Sequence, residues 1–350
     1  MKCIHCRNDA KYKDRSDKKC PTCHHPFAFE PQTGDPVTDS AFESAIDKVS
    51  SDGKVKWTKE HLYYELCKHK RRGKTLSLVF GVAGALFLTG AAMGTHLLVF
   101  VVVLVILFWT IAVRSWPSPE VAIPESTFDS LWNRWLRAHG TPKAVIVRKA
   151  LPAPGTARQL PADIQEYSFD RAVICDREET VDLLLANNFH FENNCAVLSA
   201  SGYPPQAWGT VRGMLRKNPK LAVYVLHDAS MEGCGLAKKL ASSGDWFASS
   251  ARIVDVGLSP THAKKLKGLW RPTSFVARDP TLSSSDNAWL ERYSLELAVI
   301  RREQVIKRLF RAISGAKETS DSPDSGTLML DTGSFGGDAT VSDGGGDSFG

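Results

Sequence analysis

Cysteine is scarce in this chain of 350 residues, and its placement excludes one class at once: of eight cysteines, four fall between Cys3 and Cys23, while Cys67, Cys175, Cys195 and Cys234 are scattered. That is not a disulfide framework; it is a metal pattern in a reducing compartment. The opening stretch from Met1 to Cys6 lacks the apolar core of a signal peptide. Cations are nearly missing at the other end. From Ala316 onward one Lys stands against seven Asp or Glu, so the tail carries about −6 and everything before it about +12 of the net +6. The longest absence is central: no Asp, Glu, Lys or Arg occurs from Leu76 to Val113.

As one helix those thirty-eight residues would reach roughly 57 Å, nearly twice a hydrocarbon core. Two spans fit better, about 76–93 and 97–114, broken near Gly94-Thr95-His96. The basic cluster from Lys68 to Lys74 precedes the first span and Arg114 follows the second. The positive-inside bias then puts both termini in the cytoplasm and makes the chain an integral membrane protein in contact with lipid.

What is present at the N-terminus is more specific. Cys3-x2-Cys6 and Cys20-x2-Cys23 are separated by thirteen residues. Each pair can wrap one side of a tetrahedral ion, and the loop is long enough to bring the pairs together. Residues 1–30 resemble a zinc ribbon, with Cys20-Pro21-Thr22-Cys23 resembling that family's second knuckle. Four thiolates suit both zinc and iron, and zinc is the expected ion. They close the site, which leaves His24 and His25 as surface neighbours and gives the module a binding or stabilising role. Residues 31–75 read as a solvated stalk of two helices. Ala41, Phe42, Ala45, Ile46 and Val49 follow helical spacing, and Thr58 caps a second helix whose Leu62, Tyr63 and Leu66 suit either an interfacial or a packed face. Cys67 then lies beside the membrane.

After Pro119 the reading is a cytoplasmic α/β domain, 115–315, with a mostly parallel, Rossmann-like sheet. A helix is expected over 125–140 and a short strand from Lys143 to Arg148. Strands then fall at 172–175, 196–198, 221–226 and 252–256, alternating with helices at 178–187, 207–216, 232–242 and 261–266. Ligand sites in such sheets lie beyond the carboxyl ends of strands. Acidic residues stand there: Asp176 with Glu178 and Glu179, then Asp228, then Asp255. Carboxylates on adjacent strand ends can hold Mg²⁺ jointly; equally, Asp228 can cap the next helix.

The segment from Cys195 to Pro204, Val211-Arg212 and the run from Val223 to Gly233 resemble the Toprim domain of topoisomerase VI A subunits and their meiotic double-strand-break relatives. The resemblance covers roughly 170–270. It implies a glutamate at the first strand end, a Gly-Tyr-Pro segment before an arginine-bearing helix, and an Asp-x-Asp-Pro-x-Gly motif supplying metal ligands. Carried over, Asp176 stands where the glutamate would be, Asp228 matches the first motif aspartate and Gly233 the motif glycine. The chain departs from the pattern at Ser230, in place of the second aspartate, and at Met231, in place of the proline; Glu232 is the nearest substitute carboxylate.

Residues 285–313 read as one long amphipathic helix with Arg301, Arg302, Lys307, Arg308 and Arg311 on its outer side, and 316–350 as a disordered acidic Gly/Ser tail in which Ser-Phe-Gly recurs at 334–336 and 348–350. The leading expectation is a membrane-anchored interaction or regulatory protein with a degenerate Toprim-like domain and a protein partner on the ribbon or tail. Two alternatives stand beside it. One is an Mg²⁺-dependent phosphodiester or nucleotide-processing enzyme using Asp176, Asp228 and Glu232; the other is a protein that binds nucleic acid without cleaving it.

Overall fold

The computed structural model describes residues 1–15, 17–69, 118–147, 171–218, 220–243, 246, 251–274 and 278–318. Four short apolar segments make a parallel sheet: β1 Arg171–Cys175, β2 Cys195–Ser199, β3 Ala222–Leu226 and β4 Arg252–Asp255, in the order β2-β1-β3-β4. Ala172 lies opposite Ala196 on one side and Val223 on the other. Because side chains alternate along each strand, the sheet sorts its residues into two layers. Ala172, Ile174, Ala196, Leu198, Val223 and Val225 pack with Leu215, Leu236 and Leu240. Val173, Cys175, Cys195, Val197, Tyr224 and Leu226 enter a larger core. Burial on both faces explains why β1, β2 and β3 read as continuous apolar runs rather than as alternating ones, whereas the edge strand β4 is half-buried to exposed.

Helices α1 (Asp39–Ser50), α2 (residues 59–69) and α3 (Glu125–His139) precede the sheet in the chain. Within the sheet unit come α4 (Glu178–Ala186), α5 (Phe189–Glu192), α6 (Pro205–Lys217), α7 (Met231–Ser242) and α8 (Pro260–Ala263). The first crossover carries α4, whose Val181 and Leu184 join the larger core. Ser230 caps α7, its Oγ accepting from the Gly233 N–H at 3.0 Å.

Several expectations need correction. Residues 38–69 are not a solvated stalk. Phe42, Trp57, Leu62, Tyr63, Tyr64, Leu66 and Cys67 are buried in the same core as the inner layer of the sheet. The Tyr63 hydroxyl donates to the Ile123 carbonyl at 2.8 Å, and Phe29, Phe42 and Trp135 form an aromatic cluster with centroids 4.7–6.1 Å apart. Of the two readings open for the face of Leu62, Tyr63 and Leu66, the packed one holds.

The transmembrane reading is corrected with it. The two expected spans, 76–93 and 97–114, lie outside the described residues, and among the described residues no helix is long and apolar enough to cross a membrane. The hairpin, the integral-membrane assignment with both termini in the cytoplasm, and the membrane anchoring of the function therefore have no support among the described residues.

Two smaller corrections follow from tertiary hydrogen bonds overriding local pattern. As far as Val147 the chain from Lys143 forms no strand, only a parallel bridge between Val145 and Trp57, in which Trp57 N–H donates to Ala144 O and Ile146 N–H to Trp57 O. The expected long helix over 285–313 is two: α9 (Ser284–Leu290) and α10 (Arg302–Glu318). Between them β6 (Tyr293–Ser294) pairs antiparallel with β5 (Arg271–Pro272), and Leu295 exchanges both backbone hydrogen bonds with Ala229. Residues 319–350, with most of the expected disordered tail and both Ser-Phe-Gly repeats, lie outside the described residues.

Candidate metal centre and strand-end ion network

The four N-terminal cysteines converge as their spacing predicts. Two backbone hairpins of equal design deliver them. In the first, Cys3 N–H donates to Asn8 O at 2.9 Å and Arg7 N–H to Cys3 O at 3.0 Å; in the second, Cys20 N–H donates to His25 O and His24 N–H to Cys20 O, both at 2.9 Å. Arg7 and His24, each one residue past the second cysteine of its pair, take left-handed φ of 61° and 59°. These turns aim both sulfurs of each pair inward. Cys3 and Cys23 Sγ stand 3.6 Å apart, Cys6 and Cys20 Sγ 3.5 Å, and all four lie within 4.8 Å of one another. A tetrahedral ion with sulfur at about 2.3 Å needs sulfurs roughly 3.8 Å apart, so the donor set fits a metal ion. N–H groups of Cys23 and then Thr22 point at the Cys20 sulfur and help bring its thiol down to about 6, against its burial. His24 and His25 are exposed and outside the cluster, with the His25 ring stacked on His5 at 3.7 Å.

The ribbon is tied to the helices behind it by a buried carboxylate. Asp39, at the start of α1, accepts from the Ala28 and Phe29 N–H groups at 2.9 Å each and pairs with His139 Nε2 at 2.8 Å. Arg15 and Glu30 add a buried ion pair beneath the second hairpin.

The second site lies where the sheet changes winding direction. The chain steps from β1 outward to β2, then returns to place β3 on the other side of β1. At this switch point the carboxyl ends of β1 and β3 lie side by side and deliver Asp176 and Asp228. Asp176 Oδ2 accepts from the Asp228 N–H at 2.8 Å, and its Oδ1 is buried without a hydrogen-bond partner. Asp228 Oδ1 accepts from the Leu297 N–H at 2.6 Å, and Oδ2 faces Arg177 Nη1 at 3.3 Å. Arg177 and Arg271 both bond the buried Glu296, and Arg271 reaches on to Glu125. Space is tight: a Cβ on Gly233 would sit 2.5 Å from the Asp228 carbonyl oxygen and 3.0 Å from Asp176 Oδ2, which is why the first turn of α7 carries glycine at this position.

Burial pushes the Asp228 carboxyl up to about 8, reinforced by Asp176 and Glu296 and only partly offset by Arg177. Burial also raises Asp176. Burial works against the charge of Arg177, yet Glu296 and Asp228 outweigh it and raise its pKa. Next to Asp228, His227 is bridged from Nδ1 to the Asp228 carbonyl at 2.7 Å and from Nε2 to Asp255 Oδ1 at 3.0 Å. Against the cost of burial, that contact raises His227 and lowers Asp255. A Cβ at Gly257 would lie 2.2 Å from the His227 ring, so this corner is also built around a glycine.

Of the sequence candidates, Asp176 and Asp228 are brought together, while Glu232 is exposed on the first turn of α7. Among the described residues only the four cysteines bring three or more potential metal donors into one tight cluster. Arg177, Arg271, Glu296 and Tyr64 were missed. Arg177 had a signal, a cation directly after a candidate ligand. Glu296 had none, since it was read inside a helix. Tyr64 lies near Glu296, its hydroxyl buried without a hydrogen-bond partner. Comparison adds no relative: no protein-family model, no curated protein and no solved structure matches this chain.

Proposed function

We propose that this chain is an interaction or regulatory protein, with an N-terminal ribbon closed on zinc and an α/β unit that is a degenerate, non-catalytic relative of Toprim domains. One observation carries the reading. The Arg177 guanidinium stands between Asp228 and Glu296, where a metal-dependent site would need its cation, and the other Asp228 oxygen is taken by a backbone N–H. A carboxylate held on both sides orders the loop instead of binding Mg²⁺. Ser230, at the position of the second motif aspartate, supports the same view by serving as a helix cap. In the ribbon, four thiolates would fill a tetrahedral shell and leave no open position. Its work is to fix the N-terminal fold and present a surface to a protein partner.

A second reading, an Mg²⁺-dependent enzyme acting on phosphodiesters or nucleotides, draws on the buried, unpartnered Asp176 Oδ1 beside Asp228. One experiment separates them. The full chain and its Asp228→Asn variant are titrated with Mg²⁺ and Mn²⁺ calorimetrically, then incubated with supercoiled plasmid and with single-stranded DNA. The expected result is no metal uptake beyond the ribbon ion and no nicking. Metal-dependent nicking by the wild type that disappears in Asp228→Asn overturns the proposal.

A further inference from the structure

Helix α10 carries a basic face that nothing in the strand-end site accounts for. Its buried side is formed by Val305, Leu309, Ala312 and Ile313. At about 100° per residue, Lys307, Phe310 and Arg311 fall on the opposite arc, where all three are exposed, and Arg308 falls on the flank. The acid on the exposed side of the first turn, Glu303, is held by Arg302 at 2.7 Å. Lys307, Arg308 and Arg311 make no ion pair among the described residues, and Arg308 Nε is buried with no hydrogen-bond partner.

The positive charge continues off the helix. His262, in α8, and the exposed Lys265 just after it add cationic side chains whose charge is felt together with that of Arg308: burial first, then Arg308 and Lys265, lower the His262 pKa. Asp255, whose charge favours the Arg308 cation, makes no ion pair with it among the described residues and accepts instead from His227 Nε2 and the Gly257 N–H. Amid these cations Phe310 leaves 48% of its surface in water. An ordinary solvated helix face mixes signs and hides its aromatics. A stripe of cations beside an open ring suits repeated phosphates whose bases are free to stack.

We propose that this face of α10 binds single-stranded nucleic acid, with Lys307, Arg308, Arg311 and Lys265 meeting phosphates and Phe310 stacking on a base. The inference goes beyond the reading above and does not depend on it, because binding here is the same whether or not the strand-end carboxylates take a metal.

The test is fluorescence anisotropy of a labelled oligothymidylate of about twenty nucleotides against the full chain, from about 50 to 200 mM NaCl. Four phosphate contacts at about 0.7 each predict a log–log salt slope near −3, an affinity loss of about fifty-fold across that range. Lys307→Gln with Arg311→Gln should bring the slope to about −1.4. Phe310→Ala should weaken binding about fivefold or more with the slope unchanged. Lys18→Gln with Lys19→Gln, in the equally basic ribbon, should leave both quantities alone. All these side chains are exposed, so an unchanged circular-dichroism melting curve is required of each variant. Absence of binding at 50 mM, a flat salt response, or loss of binding in the ribbon variant but not in the α10 variants would each overturn the proposal.

Discussion

Replacing Arg177 by Met removes the guanidinium from between Asp228 and Glu296 while keeping most of the side-chain volume. Breaking a buried ion pair from one side typically costs about 3–5 kcal/mol, because the remaining charge is stranded. Near neutrality, where Asp228 is largely protonated, the loss falls on the Arg177–Glu296 pair; Arg177 is 35% exposed, so water can reach part of the site, and Glu296 keeps Arg271, which together discount the cost to about 2 kcal/mol. The pH dependence is the sharper signature. With its pKa up at about 8, Asp228 is mostly protonated at pH 6 and ionised at pH 9. Without Arg177 that pKa rises further, and each additional unit adds about 1.4 kcal/mol of destabilisation once pH exceeds the wild-type value. The expected difference between wild type and Arg177→Met therefore grows from about 2 kcal/mol at pH 6 to about 3 kcal/mol at pH 9. Urea denaturation of both proteins at the two pH values measures it. A difference that stays constant with pH, or falls below about 0.5 kcal/mol throughout, would refute the assignment of Arg177 as the counter-charge of Asp228.

Three further outcomes follow from the same structure. Asp228→Asn should flatten the pH profile: a carboxyl raised in the fold lends stability that is full below about pH 4 and lost as pH climbs through about 8, so the wild type should weaken across that window more than the variant, as followed by thermal melting from pH 5 to 8. Leu62→Ala, at a fully buried position of α2, should cost about 2–5 kcal/mol in chemical denaturation; a cost below about 0.5 kcal/mol would return α2 to the role of a solvated stalk. Cys20→Ser should abolish metal binding by the ribbon, read as loss of stoichiometric zinc by elemental analysis, and should unpack Phe27 and Cys3 with it, whereas a variant that still holds one zinc would show that the four cysteines are not the ligand set.

The legible parts of the chain are those whose signal is local. The four strands and most of the helices around them were readable because buried parallel strands repeat short apolar runs between amphipathic segments, and positions 172–175 and 222–226 show this plainly. The cysteine pairs were readable because coordination restricts spacing more tightly than packing does. Failures came where two explanations share one pattern. Leu62, Tyr63 and Leu66 give the same helical stripe whether the apolar face meets lipid or protein, and only the Tyr63 hydrogen bond to Ile123 and complete burial distinguish the two. Tyr293 to Leu297 continues a helical periodicity, yet Arg271, Pro272 and Ala229 offer it strand partners.

By itself the sequence determined the convergent cysteine quartet and the alternation that makes an α/β sheet, because covalent spacing and hydrophobic period act over a few residues. The strand order and what surrounds Asp228 were decided by the tertiary structure alone. Asp176, Arg177, Asp228, Arg271 and Glu296 are separated by up to 120 positions in the chain, and no local rule relates them. Only when β3 folds back beside β1 does an arginine come to fill the space between two carboxylates, and that meeting turns a pair of candidate metal ligands into a buried ion network.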